Sequence, residues 1–172
     1  KNLNLTIKEE IKMKKFLLVV TVFLFNLSFS QNNKGKLFII GGGSRPDFLV
    51  DRMVKEAGLN PGDAVAIFPQ ASSEQDSSFY YAKQQFEKRN LKAVNYAFKK
   101  GEKLPSSKLD SLKKAKLIYV GGGDQLIFMD IINNYPEVKN ILKESYENGK
   151  MIAGTSAGAA IMSEVMITGN QL

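Results

Sequence analysis

Met151-Ile152-Ala153-Gly154-Thr155-Ser156-Ala157-Gly158-Ala159-Ala160 is the stretch on which the reading of the fold turns. Met151, Ile152 and Ala153 form a short buried strand by composition, and it runs straight into G-x-S-x-G and a small-residue helix. At a strand-to-helix junction this spacing builds a sharp turn that holds the Ser156 backbone in strain. A glycine two residues to either side lets neighbouring chain pass without a Cβ clash. The hydroxyl is thereby pushed into whatever crevice lies beyond the strand end. The Ala157 N–H and the start of the helix face an oxyanion formed at an attacked carbonyl, where one such donor is worth about 10²–10³ in rate. Two other readings fit the same residues. One is an anion-binding turn with Ser156 as a mere helix cap; the other is tight strand-to-helix packing that admits only small side chains.

Upstream, short β-rich runs alternate with helical patterns, the signature of a parallel α/β sheet. Lys36–Ile40 (KLFII), Ala64–Phe68 (AVAIF), Ala93–Phe98 and Lys116–Val120 (KLIYV) read as strands. Leu49, Val50, Met53, Val54 and Ala57 mark a helix ended by Gly58, and Phe79, Ala82 and Phe86 mark one face of another. Lys99–Lys116 is polar, carries Gly101 and Pro105, and reads as a connection with one short helix. Gln125–Asn133 is helical. Pro136 opens a further helix with Val138, Ile141, Leu142 and Ser145 on its buried face, capped by Asn148-Gly149. Continuous apolar strands imply a sheet covered on both faces. The expected class is α/β, a three-layer parallel sheet flanked by helices.

Two of the strands end in glycine triplets, Gly41-Gly42-Gly43 and Gly121-Gly122-Gly123. In open α/β sheets the ligand crevice lies outside such strand ends. Neither triplet completes G-x-G-x-x-G, because Pro46 and Leu126 stand at the last position, and no G-x-x-x-x-G-K-[ST] occurs. A dinucleotide site is therefore not expected. Gly122 or Gly123 can instead supply a second oxyanion donor across the crevice from Ala157, whereas Gly41–Gly43 also reads as a plain tight turn.

The 172 residues contain no Cys and no His. That removes disulfides, thiolate chemistry, the commonest general base and the commonest metal ligand. A size of one domain, 44% apolar and 24% charged, fits a globular chain. Met13-Lys14-Lys15 followed by the apolar run Phe16–Phe25 has the layout of a secretory signal, with Ser28 and Ser30 placing cleavage before Gln31. An uncleaved anchor helix is the other reading of that segment. Residues 1–12 hold no Met and read as an upstream extension, residues 13–30 as the signal, and residues 31–172 as the domain itself. With residues 1–30 set aside, 19 basic and 15 acidic residues remain, and the scattered lysines suit a solvated surface rather than a nucleic-acid partner.

The ordered trio FIIGGGS, VGGGDQ and AGTSAGAA resembles the cyanophycinase branch of the S51 serine peptidases, relatives of α-aspartyl dipeptidase, from about Lys36 to the last residue. The resemblance implies a class I glutamine-amidotransferase-like (flavodoxin-like) fold. It also implies Ser156 as nucleophile, Gly122 or Gly123 with Ala157 as oxyanion hole, and Gln125 lining the substrate site. The implied substrate is cyanophycin (multi-L-arginyl-poly-L-aspartate), cut to β-Asp-Arg dipeptides without metal or organic cofactor. An α-aspartyl dipeptidase and a non-catalytic binding protein on the same fold are the alternatives. Such a polymer calls for acidic and basic side chains at the crevice. Asp124 and Arg45 stand at suitable strand ends, with a helix cap and simple solvent exposure as their other readings. The implied partners are a peptide or polyamide substrate and a second copy in a homodimer, with no nucleic acid and no membrane once the signal is removed, in a secreted or periplasmic setting. The family's triad His and acid would lie beyond Leu172, so the resemblance implies the N-terminal part of a longer enzyme, truncated at its C-terminus and inactive alone.

Overall fold

The chain divides into two compact units, residues 1–32 and 33–172. The computed structural model describes residues 12–18 and 34–168, and in the first unit residues 12–18 are helical (α1). The cleavage point expected before Gln31, and all but the last residue of the expected upstream extension, lie outside the described residues. Among the described residues no helix is long and apolar enough to cross a membrane.

The second unit runs β1 (Leu37–Ile40), α2 (Asp47–Glu56), β2 (Ala64–Phe68), α3 (Gln75–Glu87), β3 (Lys92–Asn95), α4 (Ser106–Lys114), β4 (Leu117–Val120), α5 (Gln125–Ile132), α6 (Pro136–Glu147), β5 (Met151–Thr155) and α7 (Ala157–Ala160). Its five strands are parallel in the order β1-β5-β4-β2-β3. From β1 the chain moves to β2 and β3 in one direction, then turns back to β4 and β5. Because each crossover is right-handed, reversing direction moves the connecting helices to the opposite face. Accordingly Val50, Met53, Ala82 and Phe86 of α2 and α3 pack on Val65, Ile67, Leu117, Tyr119 and Ala153. On the other face Leu112, Phe128, Ile132, Val138 and Ile141 of α4, α5 and α6 pack on Ala66, Phe68, Ile118 and Val120. This alternation along each strand gives the three layers expected.

Two details differ from the sequence reading. Pairing of β3 stops at Asn95 rather than Phe98, since its partner β2 ends at Phe68 before Pro69. Tyr96 and Phe98 instead turn their rings onto Phe68, at 4.8 and 6.3 Å between centroids. The short helix expected in the polar connection is α4, nine residues long with Leu112 as its single buried residue. Cover is incomplete at the edge strand β1, where Leu37 is 42% and Ile39 63% exposed.

The turn after β5 closes through glycine contacts that no other residue permits. A Cβ on Gly154 would lie 2.2 Å from the Gly158 carbonyl oxygen, and one on Gly158 would lie 2.3 Å from that of Val120. Gly123, at φ +139°, is held as tightly, with the Ala71 oxygen 2.0 Å from any added Cβ. Gly41 has open space around it. Gly158→Ala should therefore lose about 1–3 kcal/mol or more by forcing backbone apart, whereas Gly41→Ala should stay within about 0.5 kcal/mol of the parent. Urea unfolding of both variants checks the contrast, and equal effects would contradict it.

Tyr119, 1% exposed, stands edge-on to Phe86 with ring centroids 5.4 Å apart, and its hydroxyl has no hydrogen-bond partner among the described residues. Burial pushes this phenol up to about 12, with the Arg45 guanidinium pulling the other way. Between the ordinary value near 10 and this raised one, the folded chain keeps a proton that the unfolded chain loses, so stability falls as pH rises. The loss should approach about 2–3 kcal/mol. Tyr119→Phe should flatten the decline in urea midpoint across that window.

Candidate active site

The direction reversal in the sheet sets where a ligand can enter. β1 leads through its glycine triplet toward α2 on one face, while β5 leads into α7 on the other, where Ala157 joins the α5–α6 cluster. The chain therefore parts outside the ends of these neighbouring strands, and Ser156 stands at that parting. Its residue is exposed although Thr155 before it and Ala157 after it are buried.

Ser156 has φ +52° and ψ −116°, and apart from Asn90 it is the only non-glycine residue at positive φ among the described residues. Such a conformation costs about 1–3 kcal/mol and persists only where its surroundings impose it. Here the Ser156 N–H donates to the Ile40 carbonyl at 2.9 Å, tying the turn to β1. The Ser156 carbonyl accepts from the Ala159 and Ala160 N–H groups at 2.9 and 3.0 Å, tying it to α7. The glycine contacts at 154 and 158 close the turn from behind. Ser156 stands at the N-cap of α7, yet its hydroxyl makes no capping bond, which sets aside the cap reading. The tight-packing reading holds for both glycines without accounting for the strained serine.

Both triplets flank this side chain. A Cβ on Gly122 would lie 3.3 Å from Ser156 Cβ, and one on Gly42 would lie 3.8 Å from it. Gly122 is thus where an oxyanion donor is needed. The neighbouring N–H groups are committed, Gly121 to the Phe68 carbonyl at 2.9 Å and Asp124 to that of Ala71 at 2.7 Å. Between them, the N–H groups of Gly122 and Gly123 reach no protein acceptor among the described residues, and neither does that of Ala157.

The two polar residues after the triplet serve the chain itself. Asp124 caps α5, its Oδ1 accepting from the Leu126 N–H at 2.7 Å, which is the cap reading of this residue. The Gln125 side-chain amide donates to the Ile167 carbonyl at 2.7 Å and so tethers the segment after α7 beside the crevice. Arg45 is not simply solvated. It is half-buried, its Nε donates to Gln85 Oε1 at 2.9 Å, and its guanidinium carbon lies 5.6 Å from the Tyr119 ring centroid. Gly41–Gly43 is the tight turn its sequence suggests, with positive φ at Gly42 and Gly43, and the approach of Gly42 to Ser156 is not legible from the turn alone. Its signal was the repeat of a strand followed by a triplet at two strand ends.

The profile of peptidase family S51 matches residues 37–172. A cyanophycinase of Synechococcus elongatus is 25% identical over 143 residues, covering 80% of this chain and 44% of that protein. Two solved structures share the fold. A candidate peptidase E of Listeria monocytogenes EGD-e has a TM-score of 0.60 at 22% identity, over 75% of this chain and 62% of that one. A peptidase from an acI-B1 Actinobacterium has a TM-score of 0.63 at 23% identity, over 79% and 59%. This chain therefore spans less than half the length of the cyanophycinase it matches. The parallel five-strand sheet between two helical layers is the α/β fold shared with these two structures. On the match from the first strand onward, the chain belongs to peptidase family S51.

Proposed function

We propose that Ser156 is the nucleophile of an exported serine-type peptidase acting on aspartyl peptides, cyanophycin foremost, with the Gly122 or Gly123 and Ala157 amides as its oxyanion hole. The observation that carries this reading is the strained, outward Ser156 set beside three uncommitted N–H groups. Amides aimed at the same point stabilise an oxyanion without reorganising during the reaction. In the reaction Ser156 Oγ bonds to the peptide carbonyl carbon, and its proton passes to a general base. The tetrahedral intermediate then collapses, the C–N bond breaks and the amine leaves with that proton. Water releases the acyl group in a second round of the same chemistry.

The 172 residues hold no His, and in this reading the general base is the histidine that the family resemblance implies. The apolar run after Met13 supports export, and the likeness to cyanophycinase supports a polyamide substrate. A fluorophosphonate should label the native gene product at Ser156, with labelling abolished in Ser156→Ala. The 172-residue chain should react at least about 10³-fold more slowly, the usual scale for loss of a triad member. Release of β-Asp-Arg dipeptides from insoluble cyanophycin separates this substrate from α-aspartyl dipeptides. A folded native product that resists the probe would overturn the reading.

A further inference from the structure

We infer that Arg45, carried on the glycine turn beside Ser156, is the specificity residue that receives a carboxylate of the acidic peptide. This rests on the peptidase reading above and adds to it the group that reads substrate charge. The chain has three arginines, and the other two are matched by acids. Arg52 meets Glu56 at 2.8 Å, while Arg89 meets Asp51 at 2.6 Å and Asp47 at 3.2 Å. Asp47, the acid nearest Arg45 in sequence, is thus turned to Arg89. Among the described residues Arg45 has no carboxylate partner, and of its donors only Nε is engaged, on a neutral glutamine.

A half-buried guanidinium with both terminal nitrogens uncommitted is a fork awaiting two acceptor oxygens, which is the geometry of a carboxylate. A second group nearby has the same need. The Tyr119 ring lies 5.6 Å from the Arg45 guanidinium carbon, and its buried hydroxyl has no hydrogen-bond partner among the described residues, although buried hydroxyls are nearly always paired. The fork is also held in place before any ligand arrives. Gln85 fixes its Nε, the Tyr119 ring supports its face, and Pro46 stiffens the backbone after it. Gly42, three residues before Arg45, is the residue whose open side faces Ser156 Cβ. One short turn therefore joins the wall of the nucleophile to an uncompensated cation.

The test is equilibrium binding of an aspartyl dipeptide and its asparaginyl counterpart, by calorimetry, to the parent chain, Arg45→Met and Arg45→Lys. Circular dichroism confirms that each is folded. The parent should prefer the aspartyl ligand by about tenfold or more, equivalent to about 1.4 kcal/mol. Arg45→Met should lose that preference while binding the asparaginyl ligand as before, and Arg45→Lys, which keeps the charge but not the fork, should retain part of it. Ser156 labelling by an uncharged fluorophosphonate, run on the native gene product and its Arg45→Met variant, separates the two claims. Labelling in both, with the aspartyl preference absent from the parent or unchanged in Arg45→Met, overturns the role of Arg45 and leaves the peptidase standing. Charge-dependent binding that needs Arg45, with no labelling, keeps the carboxylate site and removes the peptidase.

Discussion

The carbonyl oxygen of Val120 sits where a side chain on residue 158 would have to go, and that contact governs the rest of the site. It brings α7 against the end of β4 so closely that the turn between β5 and α7 has no room to relax. Gly154 meets the Gly158 carbonyl in the same confined space, and Thr155 is fixed by its register with Ile40. Ser156 is then left with a positive φ as the conformation compatible with both ends of the turn. Strain of this kind is retained because backbone, not adaptable side chains, forms the walls.

The same closeness determines what chemistry the crevice can support. The Gly158 contact draws α7 onto the end of β4, and Gly122 of the second triplet comes to 3.3 Å, measured from an added Cβ, from Ser156 Cβ. The candidate oxyanion donors belong to the main chain, so their directions are set by the sheet and not by rotamers. The β4 turn is itself held at Ala71 and Phe68, which bond the N–H groups on either side of Gly122 and Gly123. Stabilisation of developing charge depends on donors that are already in position, and here packing within one sheet supplies that condition.

Much of this architecture is legible one residue at a time. Apolar runs, Gly58, Pro69 and Pro136 fall at element boundaries, and G-x-S-x-G names its own turn. What escapes such reading depends on partners distant in the chain. Tyr96 and Phe98 alternate like strand residues, but whether they pair is decided by where β2 stops. The short helix expected between Gly101 and Lys116 is there as α4, but its bounds are hard to read because Leu112 is its single buried residue. Arg45 looks like a solvated cation until Gln85, forty residues away, and Tyr119 are brought to it. Gln125 likewise matches a family motif, and its side chain turns out to bond a carbonyl forty-two residues further on.

The two triplets show why identical letters need a physical test. Gly123 is crowded by the Ala71 oxygen, 2.0 Å from any added Cβ, so packing alone demands glycine there, while at Gly121 the Ser78 side chain, with Oγ at 3.0 Å, leaves little room. Around Gly41 and Gly43 there is nothing within 4 Å, and around Gly42 only Ser156 Cβ. Positive φ at Gly42 and Gly43 favours glycine in that turn, but no protein atom fills the space beside it. The second triplet is thus the packed wall of the crevice and the first its open one. In the peptidase reading the substrate chain has to pass on the side that packing leaves empty, along Gly41–Gly43, which is the turn that leads to Arg45.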